Sequence, residues 1–555
     1  MRSLLVLVMM VASVSAQTLR HRSGEPVTFE NPAEAGEVLV LGVEASQVML
    51  GLTTVDVSLN EAGEWEITVP EDVAGPFVEL ALVGAEGERQ FVETVPVRGA
   101  VEPGQLSAAE VDAIIQRAVM VYDSPRLTVA VVDRAGRHLG VYKRPEATAS
   151  DVEDAIALAR TAAFFSHNQA PLTSRTVQTL SKEHFPNDVP NQPAAALYGI
   201  EKTNRGCGFN AAYDAGKFIP PARTLDDQPG PGVATRPGGL PLFKSNGGGV
   251  VMAGGVGVGG VEPNAAEFAA LVAVNIPEFF PDPKTLPYPG GVFIDGILLP
   301  EINQLTRPAG TQAAGAPGGE YVIAPRDGAS APDGWLISPR AGTALSAEDV
   351  RSIVQRAVDR ASRTRGLIRL PLGSRARMAI SVADLDGTVL GLFRMPDATI
   401  FSNDVAVAKA RNVIYFSSVD KDPRDLPGIP AGTAVTNRSI GFGSQPFFPS
   451  GINNSQPGPF FELFGFDQAN PCTQGRQPKN ANQNGIVFFP GSAPLYRNGV
   501  MVGGLGVSGD GVEQDDYVTA GGAQGFEPPA QIRADYVFIR GVRIPYWKFP
   551  RNPEQ

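Results

Sequence analysis

Through residues 17–100, apolar positions alternate with polar ones or run in short stretches: VLVLGV, VMLGLTT, VDVSL, EWEITVP, FVELALVG and RQFVETVPV, divided by clusters of Gly, Asn, Asp and Pro. Short strands at this spacing, with turn residues between them, predict a small β-sandwich. Beyond it the period changes. LSAAEVDAIIQRAV and LSAEDVRSIVQRAV place Val111, Ile114, Ile115 and Ala118, and likewise Val350, Ile353, Val354 and Ala357, at the spacing of a buried helix face. Ser107 and Ser346 precede these runs, with Glu110 and Asp349 three residues on, the order of a capping box.

These helices open two copies of one module. Each is followed by a strand, an Asp-x-x-Gly turn and a strand, LTVAVVDRAGRHLGVYKRPEA and MAISVADLDGTVLGLFRMPDA, so that Asp133 and Gly136 match Asp384 and Gly387 in a predicted hairpin. A second helix follows, DVEDAIALARTAAFFS against DVAVAKARNVIYFSS, with Arg160 and Arg411 in one register. Inserts of about 75 residues, rich in Pro, Asn, Gly and Phe, then cover a site or make an interface. Each copy next carries a glycine ladder, PLFKSNGGGVVMAGGVGVGGVEPN or PLYRNGVMVGGLGVSGDGVEQDD, read as a strand pair entering a tight turn. Last come GGVFIDGILLP and DYVFIRGVRIP, each a further hairpin. The predicted organisation is a sandwich over 17–100, repeat 1 over 104–305, a Pro/Gly/Ala-rich linker over 306–343 with one β-like run, and repeat 2 over 344–550.

Composition adds the setting. MRSLLVLVMMVASVSA has the charged, apolar and small-residue order of a secretory signal peptide over 1–16, which predicts a secreted or periplasmic protein. No later window approaches the twenty apolar residues of a membrane span. A net charge of -12 disfavours non-specific nucleic-acid binding. Gly and Pro make about a fifth of the chain, yet 43% is hydrophobic, so long ordered loops are expected rather than disorder. The only cysteines, Cys207 and Cys472, fall in corresponding inserts; they pair in a disulfide or remain two buried thiols.

The order of helix, hairpin, helix with K-A-R, and PLYRNGVMVGGLGVSGDGVEQDD resembles the GlcG/HbpS-like haem-degrading domain family. In repeat 2 the residues that match are Asp384, Gly387, Arg394, Lys409, Ala410, Arg411, Gly503, Gly506, Val507, Ser508, Gly509, Gln514 and Asp515; repeat 1 matches more loosely over about 106–265. The resemblance implies α/β domains (α+β in arrangement), each a mainly antiparallel sheet flanked by helices, in two tandem copies forming an internal pseudo-dimer or a homo-oligomer. It also implies haem or a related tetrapyrrole as cofactor or ligand, with Arg160, His167, Arg411, Tyr496, Met501 and Ser508 as candidate contacts. Haem iron usually takes His, Cys, Met or Tyr. Repeat 2 has no His, so Tyr415, Tyr496, Met395 or Met501 would have to serve there, and in repeat 1 His167 is the best placed.

Two features remain open. Asp510, Glu513, Asp515 and Asp516 crowd the end of the second ladder, as metal ligands through oxygen or as a solvated loop. The ladder itself does not meet the requirements of a dinucleotide fingerprint, and Ser508 has no His base for hydrolysis. The functional expectation is an exported tetrapyrrole-binding protein, weakly catalytic at most. Its alternative is an interaction protein whose long aromatic inserts hold a partner.

Overall fold

The computed structural model describes residues 19–28, 31–50, 53–70, 77–83, 89–98, 104–209, 232–246, 249–314 and 318–554. The signal-peptide expectation over 1–16 therefore lies outside the described residues. The chain forms two compact units, 1–102 and 103–555.

In the first unit the strands are β1 (Leu19–His21), β2 (Ala33–Glu34), β3 (Val38–Leu41), β4 (Gln47–Leu50), β5 (Thr53–Asp56), β6 (Ser58–Leu59), β7 (Trp65–Thr68), β8 (Phe77–Val83) and β9 (Arg89–Arg98). They make two sheets, β1-β3-β7-β6 and β2-β9-β8-β4-β5. Leu39, Leu41 and Ile67 from one sheet and Val48, Leu50 and Leu80 from the other share a core, as the alternation predicted.

Repeat 1 comprises α1 (Ala108–Val119), β10 (Thr128–Asp133), β11 (His138–Lys143), α2 (Ala149–Phe165), α3 (Ser174–Ser181), β12 (Gly239–Asn246), β13 (Gly249–Gly259), α4 (Pro263–Val274), β14 (Phe293–Ile294) and β15 (Ile297–Leu298). Two strands follow, β16 (Glu320–Ile323) and β17 (Gly334–Ile337). Repeat 2 comprises α5 (Ala347–Ala361), β18 (Met378–Ala383), β19 (Val389–Arg394), α6 (Ser402–Ser417), α7 (Asn437–Gly443), α8 (Phe461–Ala469), β20 (Ser492–Arg497), β21 (Val500–Gly509), α9 (Val512–Gly522), β22 (Phe538–Ile539) and β23 (Val542–Arg543).

The sheets have one plan, β12-β13-β10-β11-β16 and β20-β21-β18-β19-β17, with every pairing antiparallel. Residues 306–343, expected as a linker, supply the edge strand of both: β16 pairs with β11 and β17 with β19. Both capping boxes form, at Ser107 with Glu110 and at Ser346 with Asp349. Gly136 and Gly387 take the left-handed φ (82° and 83°) that the Asp-x-x-Gly turns require.

Successive residues of β10 face opposite ways, so Val129 and Val131 pack with α1 and α4 while Ala130 and Val132 pack with α2. The ladder glycines serve this packing rather than a turn. A Cβ on Gly504 would lie 2.2 Å from the Ala410 carbonyl oxygen and one on Gly506 2.0 Å from that of Ala406, so α6 rests directly on β21. The turn lies earlier, at Asn498 and Gly499 (φ 52° and 79°).

The α2 face of repeat 1 and the α6 face of repeat 2 share one apolar core. Phe165 and Phe401 stack across it with ring centroids 4.1 Å apart, and the Ile400 N–H donates to the Phe164 carbonyl at 3.0 Å. Such a stack contributes about 0.5–1.5 kcal/mol beyond its buried area. The pseudo-dimer is thus internal to the chain, and Cys207 joins Cys472 across the two inserts with a Cα–Cα distance of 5.0 Å.

Candidate functional site between the repeats

The K-A-R signature on α6 and the G-V-S-G-D-G-V-E-Q-D-D run of β21 and α9 meet at one place. Lys409, fully buried, donates to Asp515 Oδ2 at 2.9 Å and to the Val507 carbonyl at 2.8 Å, with its ammonium 5.0 Å from the centre of the Phe489 ring. Burial pushes the Asp515 carboxyl up to about 7 against the opposing pull of Lys409, and burial likewise lowers Lys409 against the pull of Asp515.

Asp515 and Ser508 line a small cleft between the repeats, with an internal volume of about 30 Å³. Repeat 2 contributes Phe401, Phe489 and Ile368 to the wall, and repeat 1 contributes Leu180, Leu197 and Ile294. Asp515 Oδ1 and Ser508 Oγ are buried and make no hydrogen bond within the protein.

Repeat 1 is an internal control. The A-L-A-R of α2 overlays the A-K-A-R of α6, so Leu158 stands where repeat 2 has Lys409. Gly238 and Gly491 are equivalent, each accepting a bond from the following strand, Val258 N–H at 2.9 Å and Val507 N–H at 2.8 Å. A Cβ on Gly238 would meet Ala266 and Leu158, and one on Gly491 would meet Asp515 and Lys409. By the same registers Gly259 stands for Ser508. The polar trio of repeat 2 is Leu, Ala and Gly in repeat 1. In contrast, the pair Arg438–Asp516 recurs as Arg175–Glu267, which marks it as part of the shared scaffold.

The four acids are neither a solvated loop nor a cation cage. Residues 512–522 are helical, and Asp510, Asp515 and Asp516 are buried, each facing its own base: Arg369, Lys409 and Arg438. Glu513 pairs with Lys548. Among the described residues no group of three or more His, Cys, Asp or Glu is placed to hold a metal ion, so the metal expectation for these acids is corrected.

The other candidates separate. Arg160 and Arg411 each donate to the glycine carbonyl of their Asp-x-x-Gly turn, Gly136 at 3.4 Å and Gly387 at 2.8 Å, and are buried there, away from the cleft lining. Tyr496 and Met501 pack in a separate core beneath the second insert. His167 is wholly buried at the repeat junction: its Nε2 donates to the Ile368 carbonyl at 3.0 Å, and its Nδ1 accepts from the Gln169 N–H at 3.3 Å. With both ring nitrogens engaged, His167 has no lone pair for iron. Burial also holds its pKa well below the usual value, so the ring is neutral.

Beside it runs a network that sequence reasoning did not single out. Arg369 bridges Asp510 and Asp397, donating to Asp397 Oδ2 at 2.8 Å, and Arg134 of repeat 1 donates to Asp397 Oδ1 at 2.7 Å. Phe401, Phe489 and Lys409 were also missed as site residues. A lysine inside a helix whose other copy carries leucine at that position was the available signal.

Among the described residues the cleft lining contains no His, Cys, Met or Tyr to bind a haem iron. What it offers is an apolar wall with two acceptor-capable oxygens at one end.

Fold and site together define a tandem α/β protein, two antiparallel sheets each flanked by helices, with a small cleft between the copies. The chain belongs to the family described as "Haem degrading protein HbpS-like", whose sequence model matches residues 106–275 and 345–524, more than half of its length. It is similar to the corrinoid adenosyltransferase PduO of Salmonella typhimurium (strain LT2), 27% identical over 172 residues that make 31% of this chain and 36% of that protein. The PduO of Citrobacter freundii is likewise 27% identical over 171 residues, 31% of this chain and 36% of that protein. The chain thus spans just over a third of the length of these curated relatives. Among solved structures, a PduOC:heme complex is 24% identical, covering 33% of this chain and 96% of its own, with a TM-score of 0.22. Klebsiella pneumoniae protein ORFY is 19% identical, covering 34% and 96%, with a TM-score of 0.22.

Proposed function

We propose that this is an exported tetrapyrrole-binding protein in which repeat 2 keeps the ligand-facing chemistry. The observation that carries the reading is that the family-motif residues Lys409, Ser508 and Asp515 gather at one cleft in repeat 2, whereas repeat 1 has Leu158, Gly259 and Ala266. Membership of a family described as haem degrading supplies the ligand class. Export draws its support from the order of residues 1–16 and from the Cys207–Cys472 disulfide, which an oxidising compartment sustains.

Since the described residues of the cleft offer no ligand to iron, recognition falls on the ring system and its polar substituents. Haem and metal-free protoporphyrin are therefore expected to bind with affinities within about tenfold, the span of a single modest interaction. Titrating each into the folded protein should shift the Soret band in both cases, and His167→Ala should leave the haem spectrum unchanged. Absence of any Soret change with either tetrapyrrole would overturn the reading. A second reading, a non-catalytic interaction protein, draws on the two inserts being locked together by the disulfide.

A further inference from the structure

We propose that a second copy of this chain docks on the hairpins that close the two repeats, with β14–β15 of one molecule facing β22–β23 of the other. The inference does not depend on the tetrapyrrole reading.

Three observations carry it. First, β14–β15 exposes a contiguous apolar patch. Phe293 pairs with Leu298 and Ile294 with Ile297. Ile294 is buried in the core shared by the repeats, so Phe293 and Leu298, on the opposite face of the hairpin, stand in solvent. Tyr288 and Leu372 extend the patch: the Leu372 N–H donates to the Tyr288 carbonyl at 3.0 Å, and a Cβ on Gly291 would come 2.7 Å from Leu298 Cδ1. The four side chains are between 40% and 77% exposed. Single exposed apolar residues are ordinary, but a group of large ones side by side marks a contact surface. Leu372 belongs to repeat 2, so the patch continues outward from the junction of the repeats.

Second, the other repeat exposes the same element. V-F-I at 537–539 matches V-F-I at 292–294. Phe538, paired with Arg543, is 64% exposed, whereas Ile539 packs against the core beneath the second insert. Tyr536 is exposed beside it. Packing selects the inward Val and Ile of each hairpin but not the outward Phe. An outward aromatic side chain kept in both copies is accounted for by a surface that meets it, since aromatic residues are enriched where proteins touch.

Third, the two hairpins carry opposite charge. Asp295 and Arg540 hold the same turn position, with φ of 50° and 51°, and Arg543 stands where repeat 1 has Leu298. All three are exposed, and none forms an ion pair among the described residues; Arg540 donates only to the Pro457 carbonyl, at 2.8 Å. Docking like on like would set Asp295 beside Asp295, or four arginines together, and be repelled. Docking unlike hairpins brings Asp295 to the second copy's Arg540 and Arg543. Each molecule carries one hairpin of each sign, so the contact made twice closes a two-fold dimer.

Sedimentation velocity of the full-length protein over about 1–100 µM, at low salt, reads the association. The expected result is a mass that rises above the monomer with concentration and falls back as salt screens the charges. Asp295→Arg makes both hairpins basic, and Arg540→Asp with Arg543→Asp makes both acidic. Each variant should associate at least about tenfold more weakly than the parent, while a mixture of the two should recover association. Phe293→Ser with Phe538→Ser should abolish it. These side chains are exposed, so circular dichroism spectra and melting should match the parent's. A monomer at every concentration, an association indifferent to Asp295→Arg, or a mixture that stays monomeric overturns the inference. So does a protein that is monomeric in solution yet sediments with phosphatidylglycerol vesicles, a result that assigns the patch to a lipid surface.

Discussion

Asp397 shows how much one buried side chain holds at the repeat junction. It accepts from Arg369 and Arg134 and from the Asn168 N–H at 3.1 Å, joining residues of both copies. Burial alone would raise its pKa, but Arg134 and Arg369 more than offset that and hold the carboxyl well below its ordinary range. Asp397→Asn leaves the Arg134 guanidinium without its counter-charge and Arg369 with Asp510 alone, and should cost about 3–5 kcal/mol at neutral pH, read from the urea midpoint. The sign of the pH dependence follows from the depressed pKa. As pH falls below about 4 the unfolded chain takes up a proton that the folded carboxyl refuses, so the contribution is present above that pH and is lost below it. The gap between parent and Asp397→Asn should therefore narrow on acidification, and a gap constant from neutral pH to below 4 would refute the assignment. His138 and His167, held neutral by burial, add a loss of stability that begins as pH drops below about 6.5. Asp515 acts in the opposite sense, since its raised pKa favours the protonated fold as pH falls from about 7.

At the scale of elements, the ladder strand and the helix above it form the unit that positions the site. Lys409 reaches the Val507 carbonyl because Gly504 and Gly506 let α6 settle onto β21 with no side chain between them. Gly506→Ala drives a Cβ to 2.0 Å from a helix carbonyl that cannot rotate away, and should destabilise the protein by about 3 kcal/mol or more. Gly499→Ala, in the turn of the same hairpin, meets only Pro529 Cγ, at 4.0 Å, and loses only through its left-handed φ, about 1–2 kcal/mol. Thermal melts of the two variants should rank them in that order; equal losses would show that close packing is not the reason for the glycines. Helices α1, α2, α5 and α6 and the hairpins were legible in advance, because capping boxes, apolar spacing and Asp-x-x-Gly turns are local signals, whereas α3, α4, α7, α8 and α9 were not read from the sequence. β16 and β17 were less so. Each has only four residues, and each becomes a strand by completing the edge of a sheet formed by another segment.

For the second unit as a whole, two copies packed face to face carry Lys409, Ser508 and Asp515 in repeat 2 and Leu158, Gly259 and Ala266 at the matching places in repeat 1. The asymmetry lies in side chains, since both sheets share the same strand order. The Cys207–Cys472 disulfide ties the inserts across 265 residues of sequence. Cys207→Ser with Cys472→Ser should lower stability by about 2–4 kcal/mol, mainly by freeing the unfolded chain. Denaturant unfolding of the oxidised protein against the double variant measures this, and coincident curves would show that the bridge adds nothing.

The sequence by itself determined the repeats, the first two helices and the hairpins of each, the N-terminal strands and the family, because each is written in residues close together along the chain. It also brought Ser508 forward through the family resemblance and Asp515 through the contrast between the two ladders. Only the tertiary structure decided that Asp515 is matched by Lys409, 106 residues earlier, that His167 has both nitrogens occupied, and that Arg369, Asp397 and Arg134 bind the copies together. The physical reason is that charge pairing and burial depend on which surfaces meet. A carboxylate in G-V-E-Q-D-D reads the same whether water or a buried lysine faces it, and that difference is set by the packing of α6 on β21 and of one repeat on the other.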